Sequence, residues 1–140
     1  MKRTFRNILL LTLSCLCIIF LVSCSGGIKG DEAKTFINDF FSAIVAEDYD
    51  KAEEFLHPER PADLESFLLG IENEEDIDFQ SGIKIEKYTG FSSAFYDSSV
   101  EGSTYELTMR TKVGDDTVKF TIEIVKNENG YGIYNLDLDP

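Results

Sequence analysis

The chain has 140 residues, enough for one domain, and its 13 basic and 26 acidic residues give a formal net charge of −13. A charge of this sign repels nucleic-acid phosphates and anionic lipid head groups, so neither a nucleic-acid partner nor flat docking on anionic lipid is expected. The sequence therefore predicts an acidic domain without a basic surface for partners of these two kinds.

The first 23 residues are predicted to be a signal peptide and not part of the fold. Lys2, Arg3 and Arg6 form a basic start, and residues 8–22 follow without a single charge. A membrane-spanning helix needs about 20 apolar residues, so this segment is short for one and matches the apolar region of a secretory signal. A transmembrane anchor is the alternative interpretation.

The apolar segment ends in Leu21-Val22-Ser23-Cys24, which resembles the lipobox of bacterial lipoproteins. The resemblance implies a thioether-linked lipid on Cys24, cleavage before that residue and acylation of the new amino terminus. The protein would then be anchored on the extracytoplasmic side of the cell membrane or outer membrane. The alternative is an ordinary signal peptide that happens to end in cysteine.

Cys24 is the only cysteine left after this cleavage, because Cys15 and Cys17 lie in the removed segment. We therefore expect no disulfide and no cysteine metal site in the mature chain. Residues 24–30 are interpreted as the lipidated N-terminus and a flexible tether, and the tether residues 25–30 span at most roughly 20 Å. Residues 31–140 form the domain.

Apolar residues at three- and four-residue spacing predict two or three helices in the first half of the domain. The first begins near Asp31, whose carboxylate suits the positive end of a helix. Asp48 caps a second, short helix that Pro58 ends, and a third helix starts at Pro61 or Ala62. The side chains predicted to face the core are those of Ala33, Phe36, Ile37, Phe40, Phe41, Ile44, Val45, Tyr49, Ala52, Phe55, Leu56, Leu64, Phe67, Leu68 and Ile71.

From Ile83 onward the apolar period changes to two, which predicts antiparallel strands. In the first strand the phase slips after Glu86, and Gly90 is a plausible bulge or bend. The other three strands are predicted at about residues 103–113, 117–126 and 131–138.

The turns between the last three strands set the predicted pairing. A two-residue loop at 115–116 pairs Val113 with Val118 and brings Arg110 diagonal to Glu123.

For the following hairpin, a two-residue turn at 129–130 would set Asp137 against Ile122 and bury a carboxylate, which is costly. A three-residue loop at 128–130 is preferred because it pairs apolar residues: Ile124 with Tyr134, Ile122 with Leu136, and Phe120 with Leu138.

Two or three helices followed by a four-stranded antiparallel sheet form an α+β layout. With the step Ala46-Glu47-Asp48-Tyr49-Asp50-Lys51-Ala52 and the last strand Tyr131-Gly132-Ile133-Tyr134, this order resembles the nuclear transport factor 2-like superfamily, a cystatin-like α+β cone. It is especially similar to small bacterial lipoproteins of that fold. The resemblance implies a curved sheet that wraps a long helix and can enclose a pocket.

The predicted inner face of the sheet carries no Asp, Glu or His, whereas the enzymes of that superfamily use an acid or base inside the cone. Tyr105, Met109 and Tyr134 are the possible pocket residues, although tyrosines of this kind are also common at the rim of a core. We expect a non-catalytic domain that binds a small apolar ligand or an envelope protein. An isomerase- or hydrolase-like enzyme and a purely structural domain are the alternatives.

His57 is the only histidine, and it is interpreted as a residue that caps a helix end or lies at the surface. The acidic run at 72–78 does not fit an EF-hand loop: counting from Asp76, the sixth position is Ser81 and the twelfth is Lys87. No catalytic residue, metal or cofactor is therefore predicted.

Overall fold

The computed structural model describes residues 26–60 and 63–139. The predicted signal peptide, Cys24 and the predicted helix start at Pro61 or Ala62 lie outside this part. The elements in chain order are α1 (Gly30–Val45), α2 (Tyr49–Glu53), α3 (Leu64–Glu75), a 3₁₀ turn (Phe79–Ser81), β1 (Ile83–Asp97), β2 (Gly102–Val113), β3 (Asp116–Asn127) and β4 (Gly130–Asp139). The α+β prediction is confirmed.

Side-chain caps are present at the N-termini of α2 and α3. The Asp48 carboxylate accepts a hydrogen bond from the backbone N–H of Lys51, as the sequence predicts for α2. The Asp63 carboxylate accepts from the N–H of Ser66 in the same way at the start of α3. These bonds satisfy N–H groups that have no partner within the helix.

Two expectations for the helices are wrong. The helix α2 ends at Glu53 and does not continue to Pro58, because the chain after it becomes extended and reaches β4. Phe67 does not face the core: its side chain lies at the surface of α3, while Leu64 and Leu68 on the same helix are buried.

The four strands form one antiparallel sheet in the order β1-β2-β3-β4, so the sheet is open and β1 and β4 are its two edges. Register shifts in β1 fall between Ile85 and Lys87 and between Tyr88 and Gly90. They confirm the predicted phase slip and the bulge near Gly90. Bulges of this kind bend a strand and increase its twist.

The β2–β3 hairpin turns one residue earlier than predicted. Val113 pairs with Asp116 and not with Val118, so the loop is Gly114–Asp115. Gly114 has φ +60°, which glycine adopts readily at the first central position of a type II′ turn. The pairing shifts by two residues, which leaves every side chain on its predicted face.

The same shift makes the predicted proximity of Arg110 and Glu123 wrong. Arg110 pairs with Lys119 across the strands, and its Nε atom lies 3.4 Å from Oε2 of Glu86 on β1. Both side chains remain substantially exposed, so this ion pair contributes little to stability.

The β3–β4 pairing agrees with the prediction only in its second half. Leu136 pairs with Ile122 and Leu138 with Phe120, as expected.

Nearer the turn, a register shift pairs Ile124 with Ile133 and leaves Tyr134 as the extra residue of a bulge. The loop is therefore the two residues Glu128 and Asn129, and the predicted contact of Tyr134 with Ile124 is wrong.

The helix α1 packs along the inner face of the sheet, and aromatic side chains fill the space between them. The rings of Phe41 and Phe120 lie 5.0 Å apart between their centroids. The largest fully buried side chains are Ile37, Phe40, Ile44, Leu64, Leu68, Phe79, Leu107, Met109, Phe120, Ile122, Ile124 and Ile133. The interior of the domain is thus filled by its own apolar side chains.

The segment after α2 pairs with the outer edge of β4. The N–H of His57 donates to the carbonyl of Ile133, and the N–H of Ile133 donates to the carbonyl of Phe55, each at 2.8 Å. Gly132 permits this approach, because a Cβ atom there would lie 2.5 Å from the backbone nitrogen of His57 and 2.6 Å from the carbonyl carbon of Leu56.

The variant Gly132→Ala should lower the free energy of unfolding by about 3 kcal/mol, because the new methyl group collides with backbone and not with a flexible side chain. Gly70→Ala is the matched control: nothing lies within 4 Å of that position on α3, so a gain of up to about 1 kcal/mol from helix propensity is expected. Urea unfolding of residues 25–140 measures both. Equal stability of the two variants would contradict the close approach.

Candidate functional site

The three predicted pocket residues do not line one common pocket. Met109 is completely buried in the core. Tyr105 lies beside β1, where its ring stacks on that of Phe91 with 6.5 Å between centroids. Tyr134 lies at the opposite edge of the sheet, on β4. The structure therefore separates two surface sites that the sequence placed together.

A depression of about 310 Å³ lies next to Tyr105, between the start of α1 and β1. Lys34 Nζ is 5.0 Å from the centroid of the Tyr88 ring, a cation–π contact. Burial raises the pKa of the Tyr88 hydroxyl, which keeps the phenol protonated and able to donate a hydrogen bond.

A groove of about 240 Å³ lies between α3 and the edge of β4, and we refer to it as the β4 groove. Its walls are mainly apolar, with one cation and one amide among the lining residues. It is lined by Leu56, Arg60, Leu64, Phe67, Ile133, Tyr134, Asn135 and Leu136.

Arg60 is held over the β4 groove by two contacts. Its Cζ atom lies 4.7 Å from the centroid of the Tyr134 ring, and Nη2 donates to Oδ1 of Asn135 at 3.1 Å. A guanidinium stacked on an aromatic ring at an exposed site gains about 0.5–1 kcal/mol from the contact and keeps further N–H donors for a ligand. Arg60 was not predicted from the sequence, since only the bulge at Tyr134 brings this ring beneath it.

His57 lies beside the β4 groove and is fully buried, so its interpretation as a cap or surface residue is wrong. Its Nδ1 atom accepts from the N–H of Glu59 at 3.2 Å, which assigns the proton to Nε2. Nε2 then donates to Oδ1 of Asn127 at 3.1 Å. Its ring also packs edge-on against that of Tyr134.

Both nitrogens of His57 are thus used in contacts within the domain. A general base needs a free lone pair within reach of substrate, and this ring offers none. We therefore assign His57 a structural role: it joins the turn after α2 to the β3–β4 hairpin.

Asn127 is the centre of this network. Its Oδ1 atom also accepts from the N–H groups of Asn129 and Gly130, and its Nδ2 atom donates to Oε2 of Glu59 and to the carbonyl of Val100. One side chain therefore connects two hairpins with the turn after α2. The sequence signal for it was the polar run at 127–130, of which only residues 128–130 were interpreted, as the loop between the last two strands.

Among the described residues, no group of three or more His, Cys, Asp or Glu side chains could hold a metal ion. None of the helices in residues 26–60 and 63–139 is both long and apolar enough to cross a bilayer.

Comparisons with known proteins gave no match: no protein-family model, curated protein or solved structure matches this chain. The assignment of a function therefore depends on the residues described above.

The variant Asn127→Ala should lower the free energy of unfolding by about 2 to 3 kcal/mol, because it leaves the buried Nε2–H of His57 without an acceptor. In Asn129→Ala only one exposed bond, to Oε1 of Glu59, is lost, and the cost should stay below about 1 kcal/mol. Thermal unfolding measures the difference. Similar losses in the two variants would show that Asn127 is not the central residue.

Proposed function

We propose that this protein is a bacterial lipoprotein, anchored through Cys24 on the extracytoplasmic side of a membrane, whose domain binds a protein partner without catalysis. The lipobox-like segment before Cys24 supports the anchor. The β4 groove supports the binding role and is the observation on which the proposal chiefly rests.

We also propose that the fold is a nuclear transport factor 2-like variant. The element order and the curved, open sheet around α1 support this assignment. An experimental structure of the domain should superpose on that superfamily over α1 and all four strands. Superposition over the sheet alone would refute the assignment.

The shape of the β4 groove favours a protein over a small molecule. Pockets for drug-sized ligands have volumes of about 300–1,000 Å³ and bury most of the ligand. A groove of about 240 Å³ accommodates one or two side chains of a partner. Apolar anchors inserted in a small pocket supply much of the binding energy in protein interfaces.

The chemistry of the β4 groove indicates what the partner presents. Phe67 exposes 42% of its surface beside the apolar floor, and Arg60 is fixed at the groove with N–H donors available. An apolar side chain next to a carboxylate or a backbone carbonyl would complement this surface. The proposed partner is therefore a protein segment with an apolar anchor and an adjacent acceptor.

The anchor is tested with Cys24→Ser. This variant should lose incorporation of a labelled fatty acid, because it removes the thiol, while the folded domain should keep its thermal stability. The measurement is fatty-acid labelling of the protein in its host, with thermal unfolding of the purified full-length wild type and variant as the control for folding. Undiminished labelling of Cys24→Ser would refute the lipoprotein assignment.

The binding site is tested by photo-cross-linking in the host cell. A photo-reactive phenylalanine analogue at Phe67 should cross-link to one envelope protein, and Arg60→Ala should reduce the yield, because it removes the fixed cation. The same analogue at Leu69 is the matched control, since Leu69 is 41% exposed on the same helix but does not line the β4 groove. Equal cross-linking from both positions would contradict the proposed site.

A further inference from the structure

The three most exposed large apolar side chains of the described residues all belong to the edge strand β1, within residues 91–96. Phe91 exposes 74% of its surface, Phe95 73% and Tyr96 64%. We call these three residues the β1 aromatic patch. Exposed aromatic residues grouped in this way mark an interaction site more often than isolated ones do.

The predicted tether lies against the same patch. The Oγ atom of Ser103 donates to the carbonyl of Gly26 at 2.5 Å and is 2.7 Å from the carbonyl of Phe95. A Cβ atom on Gly26 would lie 3.1 Å from Cζ of Phe95. The chain therefore leaves the domain directly over this ring and does not hang free.

The distance from this point to the anchor is short. Cys24 precedes Gly26 by two residues, and two residues span at most about 7 Å. A lipid on Cys24 would therefore bring the membrane surface next to Phe95, whatever conformation the intervening residues adopt.

From these observations we infer that the β1 aromatic patch docks on the lipid bilayer, with Phe91 and Phe95 inserted at the boundary between head groups and acyl chains. This inference rests on the proposed lipid anchor. Aromatic side chains favour this boundary because their rings tolerate a surface that is partly apolar and partly hydrated.

The charge of the chain is consistent with apolar and not electrostatic docking. With the signal peptide and its three basic residues removed, 10 basic and 26 acidic residues remain, a formal charge of −16. Asp97 and Glu101 lie in the same hairpin as the patch. Attraction to anionic lipid is thus excluded as the source of binding, and contact with neutral lipid is expected.

The absence of tryptophan from the sequence allows a direct test. The full-length protein is produced in its host as Phe91→Trp, Phe95→Trp or Phe67→Trp, purified from membranes and reconstituted in phosphatidylcholine vesicles. Bromine atoms on the lipid acyl chains quench tryptophan only at close range. Phe67→Trp is the matched control, because that position lies on α3 next to the opposite sheet edge.

We expect roughly twofold quenching by brominated lipid for Phe91→Trp and Phe95→Trp, with a shift of their emission to shorter wavelength, and little quenching for Phe67→Trp. Mass spectrometry of the N-terminal peptide first establishes lipidation. A lipidated protein without quenching at positions 91 and 95 would overturn this inference alone, as would equal quenching at all three positions.

A blue shift without quenching would show that the patch is covered by protein, for example a second copy of the chain, and would likewise overturn the inference. A chain that carries no lipid would overturn both the anchor and the docking. Failure of the inference and failure of the proposed function are therefore distinguishable.

Discussion

The pairing of the segment after α2 with the edge of β4 is the contact on which the rest of the structure depends. Two backbone hydrogen bonds fix Ile133 between Phe55 and His57. They turn Ile133 into the core, displace Tyr134 into a bulge and bury His57. They also cover part of a sheet edge whose backbone groups would otherwise be free to pair with another chain.

The sequence predicted the fold well wherever a local pattern determined it. The period-two stretches predicted all four strands, and the phase slip located the bulges of β1. The predicted β2–β3 register was wrong by two residues. A shift of two residues keeps every side chain on the same face of the sheet, so the alternating pattern fits both registers. Only the preference of Gly114 for positive φ distinguishes the two registers. This preference was overlooked because the adjacent Asp115-Asp116 pair was interpreted as the loop.

The candidate site was much harder to predict, because its members are far apart in the chain. His57 and Asn127 are separated by 70 positions, and Arg60 and Asn135 by 75. No periodicity connects such residues; the β4 edge contact brings them together. Tyr134 was predicted as a pocket residue and lines the β4 groove, but the bulge that directs it towards Arg60 follows from tertiary pairing and leaves no local trace in the sequence.

The hydrogen bond between Ser103 and Gly26 also determines how freely the domain can turn. The bond holds Gly26 against β2, so the described residues before α1 do not form a free hinge. A lipid on Cys24, as proposed, would be attached only two residues from this fixed point. Such an anchor would turn β1 towards the membrane, and β4, the sheet edge opposite β1, would be the side accessible to a partner.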